Sequence, residues 1–84
     1  MTTESQIKMA AQLYEMRDKA KMLLGDKYKR HMAMLGKILK DISRQKNKPV
    51  LSVAIDHCKN RELTGIEFLF TMAAAVEIEE PSND

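Results

Sequence analysis

Few residues of this chain have chemistry to offer, and one group of them stands apart by sign and spacing. In the stretch KYKRHMAMLGKILKDISRQKNK, from Lys27 to Lys48, winding at 100° per residue puts Lys29, Arg30, Lys37, Lys40 and Arg44 on one side of a helix. Tyr28, Met32, Leu35, Leu39 and Ile42 take the other side as an apolar stripe. The charged side holds no acid, since Asp41 falls off its edge, and Ala33 and Gly36 lie in or beside it, so the backbone there is thinly covered. Lys27 and Lys48 extend the row at its two ends. Such a row suits phosphate contacts, and five of them predict a slope of log K on log salt of about −4.5 for duplex DNA. A solvated surface is the plainest alternative. Against it stand the single sign of the row and the placing of the balancing acids elsewhere, where an ordinary soluble surface intersperses the two signs.

Other chemistry finds little support. His57 and Cys58 are neighbours whose side chains diverge by about 100° on a helix, so they do not make a nucleophile and its base. His31 borders the apolar stripe and reads as a packing residue, and Cys58 reads as a small buried hydrophobe. One cysteine and two histidines exclude an internal disulfide and a multi-cysteine zinc site. Gly25, Gly36 and Gly65 are isolated, so no phosphate loop is present, and Tyr14 is the one aromatic placed to stack on a base. No enzyme, metal or cofactor is expected.

The net charge of +2 hides a strong asymmetry. Residues 1–18 carry two bases and three acids, a local −1. Residues 19–48 carry ten bases against Asp26 and Asp41, a local +8, whereas residues 49–84 carry two bases and seven acids, a local −5. A chain polarised in this way attracts polyanions at its middle or pairs its opposite blocks within an oligomer. No apolar run is long enough to span a bilayer, and the N-terminus MTTESQIKMA has no signal-peptide pattern, so a soluble cytoplasmic protein is expected.

The elements that must hold the basic row follow from caps and periodicity. Thr3 with Gln6 fits a capping box that opens a first helix, and Gly25 is a left-handed stop. Met9, Leu13, Met16, Ala20 and Leu23 form its main stripe, with a weaker set, Ile7, Ala11, Tyr14 and Met22, roughly opposite. Asp26 is placed to cap the basic helix, Asn47 to close it, and Pro49 to open a third. In residues 50–58, Leu51, Val53 and Ile55 alternate as a strand would, but Val50, Leu51, Ala54, Ile55 and Cys58 also make a helical stripe, which the preceding proline favours. Thr64 and Glu67 fit a capping box with a Leu63 to Phe68 staple. The helix that follows is apolar on nearly every side and calls for cover on several.

The expected fold is therefore all-α: a single helical domain over residues 1–80, with helices near 3–24, 27–46, 49–59 and 65–79, completed by homo-oligomerisation, and a disordered acidic tail at 81–84. The function that fits is non-enzymatic binding through the basic face to nucleic acid or a phosphorylated ligand. The alternative is an interaction module or inhibitor docking on an acidic protein surface. In size, Met-rich helices and opposed charge blocks the chain resembles small accessory proteins of phages and mobile elements, a likeness that assigns no residue a role.

Overall fold

A computed structural model describes residues 4–80. Four helices, α1 (Glu4–Leu24), α2 (Tyr28–Lys46), α3 (Val50–Asn60) and α4 (Gly65–Glu79), account for nearly all of it, and no strand occurs among the described residues. The all-α bundle and its four boundaries follow the sequence pattern closely. The Thr3 to Gln6 cap, the Ile7 side chain and the 81–84 tail lie outside the described residues. No described helix is long and apolar enough to cross a membrane.

The helix ends show which local signals act. Gly25 adopts φ +54 and Asn47 adopts φ 53, ψ 49, the left-handed conformations that end α1 and α2. The turn after Asn47 is closed by Lys48 N–H donating to the Ser43 carbonyl at 3.1 Å and by the Ser43 hydroxyl donating to the Lys48 carbonyl. Two expected caps do not form. Asp26 sits inside a single 3-10 turn, Gly25–Lys27, that runs straight into α2, so its side chain caps nothing. Thr64 stands extended before α4 but makes no side-chain cap bond. Pro49 directly precedes α3, where its carbonyl accepts from Val53 N–H at 3.1 Å. Residues 50–58 are helical: Val53, Ala54 and Cys58 are buried, and Ile55, which both patterns counted as apolar, faces outward.

α4 is the centre of the bundle. Each of the other three helices packs on it more than they pack on one another. Ala73, Ala74 and Ala75 are fully buried at successive 100° steps, so their small side chains let outer helices approach on three sides. Residues 71–76 are all buried, and the Thr71 hydroxyl is satisfied by the Glu67 carbonyl at 2.8 Å, one turn back. Three helices of the same chain thus cover this part of α4. Toward its N-terminal end Phe68 and Phe70 are only half-buried and Ile66 is exposed.

α1 departs further from expectation. Leu13, Met16, Ala20 and Leu24 pack against the core, but Met9 and Leu23 are 62% and 57% exposed. Tyr14 donates to the Glu80 carboxylate and Arg17 Nη1 to the Glu80 carbonyl at 2.7 Å, so the chain before Tyr14 runs past the end of α4 and the described residues leave Met9 uncovered. Leu24, one residue on, takes the core-facing position assigned to Leu23. Met22 and Ala11 of the opposite set are exposed as well.

Candidate anion-binding groove

The two sides of α2 separate in space as the helical winding requires. Tyr28, Met32 and Leu39 are buried, with Leu35 and Ile42 half-buried beside them, while Lys29, Arg30, Lys37, Lys40 and Arg44 are exposed. Packing α2 on the last turns of α4 leaves an open groove of about 760 Å³. Its α2 wall carries Lys29, Lys37, Lys40 and Arg44, and the rest of its apolar lining comes from Tyr28, Met32, Ala33, Gly36, Ala74 and Ile78. Of the expected site residues the structure brings these four cations together. Arg30 and Lys27 are exposed but lie outside the groove, and Lys48 sits past its end with Nζ 3.5 Å from Asp56 Oδ2. Among the described residues no carboxylate pairs with Lys27, Lys29, Arg30, Lys37, Lys40 or Arg44.

Acid is present in the groove, one carboxylate from α2 itself and one from α4. Glu77 of α4 lines the far wall and accepts a hydrogen bond from the Tyr28 hydroxyl, and Asp41 lies on the rim. Burial, and then the bond to Glu77, push the Tyr28 hydroxyl well above its usual range, so it stays a proton donor throughout the physiological range. The Tyr28 ring is buried beneath the Lys21 ammonium, 5.6 Å from its centroid, and offers no stacking surface. Glu77 and Ile78 reach the site only through the long-range packing of α4 on α2. No local pattern near residue 77 announces it.

Gly36 is the second finding. A Cβ there would meet Ile78 Cδ1 at 3.5 Å, an ordinary contact, so helix packing does not require a glycine. Gly36→Ala is accordingly expected to stabilise the fold by about 0.5–1 kcal/mol, because it relieves the helix-interior penalty. In a thermal melt this appears as a Tm rise of roughly 2–8 °C. A fall in Tm would show that α2 and α4 need the bare backbone to pack.

The remaining polar candidates are engaged in packing. His31 meets Phe70 edge-on with ring centroids 5.2 Å apart. Cys58 is buried, and burial pushes its thiol above the usual range, which makes it a weak nucleophile. His57 borders a small hollow with Asp56, away from the basic groove. Among the described residues no cluster of three His, Cys, Asp or Glu side chains is close enough to hold a metal ion.

The groove belongs to an all-α helical bundle. The chain matches no protein-family model, no curated protein and no solved structure.

Proposed function

We propose that this is a non-enzymatic cytoplasmic binding protein whose basic groove engages an anionic partner, nucleic acid or a phosphorylated ligand, chiefly through phosphate contacts. One observation carries it: Lys29, Lys37, Lys40 and Arg44 converge on one groove with no described carboxylate paired to them. Four cations of one sign on a shared wall repel one another and gain from an anion that draws on them together. The test is salt. With four phosphates neutralised, log K falls against log salt with a slope of about −3.6 for duplex DNA, shallower than five contacts would give. A slope near zero rules the phosphate mode out.

A second reading, docking on an acidic protein surface, is favoured by Met34 and Ile38. These are 56% and 46% exposed one turn apart on α2, on the flank of the basic row away from the groove. Cations beside an apolar shoulder suit a protein interface. Capture of an acidic protein, with no mobility shift on any nucleic acid, selects this reading. Self-association belongs to the same proposal and is supported by the exposed Met22, Leu23 and Ile66.

A further inference from the structure

The basic surface does not stop where α2 stops. A second hollow of about 530 Å³ opens at the α2 to α3 turn, and Lys40 and Arg44 line both it and the groove. Beyond them it adds Lys48, beside Asn47 and Pro49. At 1.5 Å per residue, Lys29 and Arg44 stand about 22 Å apart along α2, and the turn lengthens the track further. A compact phosphorylated molecule reaches only part of that length. It meets Lys37, Lys40 and Arg44, which lie within about 10 Å of one another along the axis, or Lys40, Arg44 and Lys48 around the second hollow, and it does not engage Lys29 and Lys48 together.

Resting on the basic-face function proposed above, we infer that the two hollows form one track for the sugar-phosphate backbone of a nucleic-acid duplex. A duplex rises about 3.4 Å per base pair, so the α2 part of the track is as long as about six base pairs. The floor favours paired over unpaired bases. It holds the small Ala33, Gly36 and Ala74, and Tyr28, the one aromatic lining it, is only 6% exposed, so a single strand finds no platform there on which to stack. Contacts of this kind hold a duplex without reading its sequence.

At the far end the chain supplies its own competitor. Asp56 Oδ2 holds Lys48 Nζ at 3.5 Å, with both side chains about half exposed. An exposed pair of this kind is weak, and an arriving phosphate displaces the carboxylate. Asp56 therefore tempers the affinity of the track, and its neutral isostere releases Lys48.

The experiment is fluorescence anisotropy at low salt on the full chain, its Asp56→Asn variant and the Lys37→Glu, Lys40→Glu double variant. The probes are a duplex of about 20 base pairs, one of its strands, ATP and a polyglutamate peptide. The duplex is expected to bind at least about tenfold more tightly than ATP and more tightly than its single strand. Asp56→Asn is expected to tighten duplex binding about two- to fivefold. ATP binding as tightly as the duplex, a single strand binding more tightly, or an Asp56→Asn variant no tighter than the parent overturns the track. If duplex binding is nonetheless lost in the double variant, the basic-face function survives that result. Duplex binding that persists in the double variant, or binding of polyglutamate alone, overturns both.

Discussion

Replacing Lys37 and Lys40 together by glutamate is expected to abolish binding of the anionic partner and leave the helical fold intact. Both side chains are exposed, both line the groove, and neither pairs with a described carboxylate, so the substitutions break no internal interaction that the fold uses. The change moves the groove by four units of charge. It removes two contacts at the middle of the track and sets two anions against the incoming phosphates, where like charges cost several kcal/mol. The affinity should fall on the order of a hundredfold or more, read by anisotropy or gel shift, with circular dichroism confirming that helix content is kept. Unchanged affinity in a folded double variant would remove this face from the function.

Truncation of Leu39 should have the largest effect on stability. It is the largest fully buried side chain, 2% exposed, and it sits where α2 meets the core cluster. Leu39→Ala loses the transfer energy of the removed methyl and methylene groups and leaves a cavity, together about 2–5 kcal/mol. For a domain of this size, whose whole stability is on the order of 4–13 kcal/mol, that is a large share, and the Tm should drop by at least about 8 °C. Phe68 and Phe70, which by size and apolar context read as the natural anchors, are half-buried, so their truncation to alanine should cost less than the roughly 3–5 kcal/mol of a fully buried phenylalanine. Thermal melts of the three variants side by side settle the order. A Leu39→Ala melt within a few degrees of the parent would mean that the core is not where α2 meets α4.

The two-sided character of α2 was legible in the residues because both halves of it are local. A period of 3.6 and a single sign of charge need no knowledge of the rest of the chain, and Gly25, Asn47 and Pro49 punctuate the helices through their own backbone preferences. What escaped depends on partners far along the chain. Tyr28 and Glu77 are 49 residues apart, and Arg17 and Glu80 are 63 apart. Nothing in either neighbourhood signals those meetings, so the far wall of the groove and the exposure of Met9 became visible only once α4 was in place. The failed caps at Asp26 and Thr64 have a different origin. Each residue is of a capping type at a helix start, but the 3-10 turn at Gly25–Lys27 absorbs Asp26, and at Thr64 the backbone is extended as a cap requires without the side-chain bond.

The placing of α4 also bears on how the molecule tolerates change. Because the outer helices lean on a common axle and only lightly on each other, each behaves as a spoke. Alteration of the solvent side of one spoke is felt by its own seat on the axle and barely by its neighbours, whereas a bulkier side chain at Ala73, Ala74 or Ala75 pries at whichever spoke faces it. The charged side of α2 is therefore free to drift toward new partners, and the alanine run is not.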